Sequence, residues 1–268
     1  MPKDKQVVGH AFSQDSALSL VNLFNAYLAD NFYDDTARGI FTDIPLAQYA
    51  TESIVPNETS AIHKVLGQLS GWYDLLLGYD KWYKADIDDS IPYICQEFDN
   101  MGIPIPTEFQ TNDIDAIGNA IRRLRPSFIN GLQKKIHASF LNIWNNRELC
   151  YSFNLKMSYT VRTLRKTDFP FLEKDGIFPR HQLPIWAKHL IMHRDYGTCQ
   201  YCGAIVATPL KPIQEYHFDH IIPLAQGGTN DISNFLLSCP SCNLSKNADI
   251  IPLKTVVHWP LISNDFFE

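Results

Sequence analysis

Side chains able to hold metals and move protons are concentrated between Cys199 and Lys246. Two Cys-x-x-Cys pairs, Cys199/Cys202 and Cys239/Cys242, are separated by 36 residues. Four thiolates brought together close a tetrahedral shell around one zinc ion and leave no position for water, so such an ion is structural. It would pin the start of a short segment to its end and substitute for core. A redox pair is the competing reading of Cys-x-x-Cys. That reading needs one knuckle beside a βαβ pattern, and two matched knuckles favour zinc. Between the knuckles stand Asp219 and His220, and directly after the last cysteine stands Asn243.

The intervening residues say how these groups are positioned. Tyr216, Phe218 and Ile222 alternate with His217, Asp219 and Ile221 up to Pro223, the period of a strand. Gly227-Gly228 supplies a loop, Phe235-Leu236-Leu237 reads as the returning strand, and Cys239–Asn247 begins a helix. The expected unit is therefore ββα. Asp219 and His220 lie late in its first strand and Asn243 on its helix, so an acid, an imidazole and an amide converge on one face.

These residues resemble the HNH endonuclease motif, in the zinc-stapled branch of the ββα-metal (His-Me finger) nucleases. The likeness is carried by Asp219-His220-Ile221-Ile222-Pro223-Leu224, Gly227-Gly228, Asn234 and Cys239-Pro-Ser-Cys242-Asn243-Leu-Ser-Lys246, with the lead-in Met192-His-Arg-Asp195-Tyr-Gly197-Thr-Cys199-Gln-Tyr-Cys202-Gly203. It spans roughly residues 185–250. The resemblance implies that His220 is the general base that takes a proton from water, which a neutral imidazole can do. It implies that Asp219 and Asn243 hold one catalytic divalent cation, and that Asn234 fixes the loop. Many members carry His where this chain has Asn243. A carboxylate and an amide oxygen are hard donors, so Mg²⁺ or Mn²⁺ is expected. The products implied are 5′-phosphate and 3′-hydroxyl ends on DNA, and the contexts implied include restriction and anti-phage defence.

Blander readings stand beside these. A zinc ribbon that binds nucleic acid or protein without catalysis would use the same cysteines, but it has no need of Asp219, His220 and Asn243 together. His217 shares the alternation of Asp219 and is a neighbour of the site. Lys246 is a candidate phosphate contact, or a solvated lysine at a helix end. His189 and His193 have i,i+4 spacing but lack the glutamate of a zinc-protease helix, and read as ordinary surface or packing histidines. Cys95 and Cys150 read as small buried apolar groups.

The rest of the 268 residues must position this unit. Apolar spacing predicts helices over Ser16–Leu28, Ala61–Leu77, Asp113–Leu124 (yielding at Pro126) and from Ser127 onward, with a short helix over Ile185–Arg194. Ile91–Thr107, with Pro92, Pro104 and Pro106, reads as loop or extended chain. The expected class is α+β: a mainly α-helical N-terminal accessory domain over 1–175, then a small ββα-metal HNH nuclease domain with a structural zinc over 176–268. The boundary is placed in the proline-rich stretch Asp168–Pro184.

Formal net charge is −6, unevenly spread. Residues 1–118 hold 6 Lys and Arg against 18 Asp and Glu, and residues 119–170 hold 10 against 2. The acidic whole argues against a generic nucleic-acid coat protein. The basic block, with Arg122, Arg123 and Arg125 foremost, is a candidate grip on the DNA backbone. The acidic segment would face a protein partner, a second copy of the chain or the basic block. No apolar run approaches the ~20 residues that a membrane span needs. With no export signal visible, a cytoplasmic location is expected.

Overall fold

Amphipathic spacing produces the helices, and two of them run through prolines. The computed structural model describes residues 14–29, 44–71, 84–207 and 213–253. The chain divides into two compact units, Met1–Ile44 with Ile62–Asn142, and Pro45–Ala61 with Ile143–Glu268.

In the first unit, α1 (Gln14–Leu28) buries Ala17, Leu20, Phe24 and Tyr27 along one stripe. Helix α3 (Ala61–Leu69) buries Ile62, Val65, Leu66 and Leu69 and stops before Gly71. The continuation expected to Leu77 lies outside the described residues.

The extended reading of Ile91–Thr107 is corrected. Residues Lys84–Asn100 form α4 with Pro92 inside it, and only residues 101–106 are non-helical before a 3-10 turn at Thr107–Gln110. The expected break at Pro126 is also absent. Helix α5 runs unbroken from Ile114 to Asn145.

Both exceptions have one cause. A proline inside a helix costs roughly 3 kcal/mol. Ile94 and Phe98 of α4, with Met101 just after it, meet Ile117, Ile121, Phe128 and Leu132 of α5 in a single apolar core. Each large side chain so buried contributes about 1.5–3 kcal/mol, so tertiary packing outweighs the local penalty.

The second unit takes its first piece from far upstream. Helix α2 (Leu46–Glu52) packs on α6 (Arg147–Val161), which Asn146 caps by accepting from the backbone N–H groups of Glu148 and Leu149. Helix α7 (Ile185–Arg194) packs on β2 (Phe235–Ser238). Strand β1 (His217–His220) pairs antiparallel with β2, His217 opposite Ser238 and His220 opposite Phe235. Helix α8 (Pro240–Lys246) lies against β1 and completes the ββα unit.

The seam between the units falls at Asn142/Ile143, upstream of the proline-rich stretch Asp168–Pro184, which lies inside the second unit. A buried ionic cluster accounts for this. The Asp195 carboxylate accepts from Arg147 of α6 at 2.6 Å, from Arg194 at 2.8 Å, and from the Leu237 backbone N–H of β2 at 2.7 Å. Arg194 also stacks over Trp144, 4.0 Å from the ring centre. Among the described residues, no helix is long and apolar enough to cross a membrane.

Candidate functional site

The four cysteines gather as their spacing predicts. Their sulfurs all lie within 4.8 Å of one another, with Cys202 and Cys239 3.9 Å apart. A tetrahedral zinc with bonds of about 2.3 Å requires sulfurs about 3.8 Å apart, so the cluster fits that ion with small adjustment. The thiols favour it chemically. The Ser241 hydroxyl and the Cys242 backbone N–H pull Cys239 down to about 6, while burial pushes Cys199 and Cys242 up. A divalent cation relieves the cost of crowding several thiolates together.

The loop between the strands is held by Asn234. Its side chain accepts from Ile222 N–H at 2.8 Å and donates to the carbonyls of Ile222 (3.0 Å) and Thr229 (2.9 Å), all buried. Gly228 is obligatory beside it, because a Cβ there would collide with the Ile222 carbonyl oxygen.

A cleft of about 470 Å³ opens over β1. His217, Asp219, His220 and Asn243 line it with Arg180 and Lys188. A second cleft of about 410 Å³ shares Arg180, Asp219 and His220. The acid, the imidazole and the amide therefore line one cleft.

Asp219 accepts at Oδ2 from Tyr201 Oη (2.9 Å) and from Lys246 Nζ (3.0 Å). Asn243 donates its Nδ2 to His217 Nδ1 at 2.8 Å, which leaves Oδ1 as its free acceptor. Both residues line the cleft, and a carboxylate oxygen and an amide oxygen are hard donors whose chemistry suits Mg²⁺ or Mn²⁺.

His220 is buried, packed against Phe235 with ring centres 4.2 Å apart and the rings tilted, and in contact with Asn230 Oδ1 through Nε2 at 3.3 Å. Among the described residues, its Nδ1 has no partner. Burial above all, then the positive charges of Arg180 and Lys246, lowers its pKa to about 3, with the Asn230 contact opposing. The ring is therefore neutral throughout the physiological range.

Lys246 corrects the expectation of a phosphate contact. It is 1% exposed, and its ammonium turns inward to the Asp219 carboxylate and the His220 carbonyl, the latter at 2.8 Å. Members of the basic block are engaged as well. Lys135 is buried against Glu97, Arg147 against Asp195, and Arg123 pairs with Glu108 at 2.8 Å on the surface. Arg122 bonds Asn119. His189 and His193 are exposed on α7.

Sequence reasoning missed Tyr201, Arg180, Lys188 and Asn230. Tyr201 sits inside a knuckle and Asn230 inside a Gly-rich loop, where each residue type has an ordinary local explanation. The lead-in pair Arg194-Asp195 carried a signal, and its role is to hold β2.

No curated protein and no solved structure matches the chain. Residues 199–249 match a family model, that of the HNH endonucleases. The ββα unit with its four-cysteine cluster is thus an HNH endonuclease-family domain, set in a chain whose other described residues are mainly helical.

Proposed function

We propose that the protein is a metal-dependent endonuclease that hydrolyses DNA phosphodiester bonds in the cleft over β1. The observation that carries this reading is the neutral, buried His220 lining the same cleft as Asp219 and Asn243. His220 takes a proton from a water molecule. The water oxygen forms a bond to phosphorus, the bond from phosphorus to the 3′ oxygen breaks, and that oxygen is reprotonated from solvent. Asp219 and Asn243 hold one Mg²⁺ or Mn²⁺, which supplies positive charge at the scissile phosphate. Lys246 and Tyr201 fix the Asp219 carboxylate, and Asn234 fixes the turn that follows the His220 strand.

Arg180 and Lys188 meet the phosphates on either side of the cut. Arg180 is exposed and lines both clefts, so a strand crossing from one to the other passes it. Arg122, Arg123 and Arg125 are secondary contacts, since the first two already bond protein groups. By analogy with where HNH units occur, the role proposed is cutting foreign DNA in restriction or anti-phage defence.

Plasmid nicking with Mg²⁺ or Mn²⁺ tests the chemistry. His220→Ala is expected to lose at least about 100-fold in rate, the usual contribution of a general base. Equal cutting by both proteins would remove His220 from the reaction.

A further inference from the structure

We propose that Asn230 is a positioning residue that holds His220 in the Nε2–H tautomer and so assigns Nδ1 as the atom that receives the proton. The inference rests on the reading of His220 as the base.

Hydrogen-bond direction decides the assignment. The Asn230 amide nitrogen has two protons, and both are committed, to the Ile54 carbonyl and to the Pro179 carbonyl, each at 2.8 Å. A carbonyl oxygen only accepts. Turning the amide over would set its oxygen against two others, so its partners fix its orientation. Its Oδ1 therefore faces the imidazole, 3.3 Å from Nε2, and the His181 backbone N–H on another side at 3.5 Å. Oδ1 also only accepts, so Nε2 must carry the ring proton. A neutral imidazole has one N–H and one lone pair, which places the lone pair on Nδ1.

The surroundings agree with this. Nδ1 is a buried polar atom with no partner among the described residues, in a side chain that lines both clefts. Buried acceptors without partners are uncommon, and water commonly fills that role. An attacking water that donates its proton to Nδ1 leaves an imidazolium with both nitrogens protonated. Asn230 Oδ1 still accepts from Nε2–H in that state, so the contact survives the transfer. Asn230 is itself fully buried, and no other side chain of its size both donates twice to carbonyls and accepts from the ring.

The test combines a spectrum with kinetics on the full-length, zinc-loaded protein. Long-range ¹H–¹⁵N spectra of ¹⁵N-histidine-labelled wild type, with the His220 signals assigned by their loss in His220→Ala, should show Nε2 protonated and Nδ1 bare at neutral pH. A protonated Nδ1 overturns the proposal, and this measurement needs neither a substitution at Asn230 nor any activity. Asn230→Asp keeps an acceptor toward Nε2–H and should keep the tautomer. Asn230→Leu keeps the shape but offers no acceptor. It should show mixed tautomers and a kcat on the Mn²⁺-dependent nicking of plasmid lowered on the order of 100-fold, with KM little changed. A folded Asn230→Leu protein with wild-type kcat also overturns it. The expected tautomer in a protein that cuts no DNA would leave Asn230 as the positioning group and sink the nuclease reading instead.

Discussion

The two units are held together by different chemistry. The first has an apolar core in which the rings of Phe98 and Phe128 meet tilted, 5.6 Å apart, among aliphatic neighbours. In the second, the stretch around the site is buried and polar: Thr229, Asn230, Asp231, Ser233, Asn234 and Lys246 are each at most 3% exposed. Apolar contacts are non-directional, so such a core tolerates reshaping. A buried polar network fixes atoms in one arrangement and is costly when half satisfied. The unit that carries the candidate site is the one whose interior is built from directional bonds.

Removing the metal from the cysteine cluster should break the comparison most severely. Cys239→Ser, or a strong chelator, is expected to abolish cooperative unfolding of the second unit and all nicking, because structural zinc contributes about 10 kcal/mol or more to small domains of this kind. Zinc stoichiometry alongside near-ultraviolet circular dichroism checks this. An unchanged thermal transition in metal-free protein would count against a structural role for the ion.

The next pair contrasts the cores directly. Phe128→Ala should cost about 3–5 kcal/mol in denaturant unfolding while leaving kcat for nicking intact at a permissive temperature. Asp231→Ala should match or approach that loss and also lower kcat. The Asp231 carboxylate takes the Ala61 backbone N–H at 2.6 Å, the Ser233 N–H at 2.9 Å and both serine hydroxyls of Ser53 and Ser233. Equal kcat in the two variants would show that the polar network serves stability alone.

Acid sharpens the contrast further. Burial first, then Arg180 and Lys246, holds His220 near 3 against an ordinary value of 6.5. Below pH 6.5 the unfolded chain takes up a proton that the folded ring refuses. Stability from this group is therefore complete above pH 6.5 and falls as pH drops toward 3, by up to about 1.4 kcal/mol per pH unit. Melting temperature against pH should slope less in His220→Ala than in wild type over that window. The smallest effect expected is from Arg122, Arg123 and Arg125 changed together to Glu. DNA affinity at moderate salt should fall by less than in Arg180→Glu, as measured by fluorescence anisotropy.

What the sequence disclosed was local. The two knuckles, the alternation at His217–His220 and the helix after Cys239 are patterns that neighbours in the chain enforce, and the cysteine cluster forms where their spacing predicts. Pro92 and Pro126 misled because local penalties were weighed without the packing that overrides them. Lys246 and Asn230 were opaque for another reason. Their partners, Asp219 and His220 for the first and Ile54, Pro179 and His220 for the second, come from separate parts of the chain. No spacing rule connects an asparagine to a carbonyl 176 residues away.

That last bond bears on the order of synthesis. Ile54, which accepts from Asn230, and Ala61, which donates to Asp231, leave the ribosome long before the loop that contacts them. The intervening residues 62–142 belong to a different unit that can condense in the meantime. The candidate site therefore cannot assemble until both its early and its late pieces have been made, whatever the middle of the chain has already done.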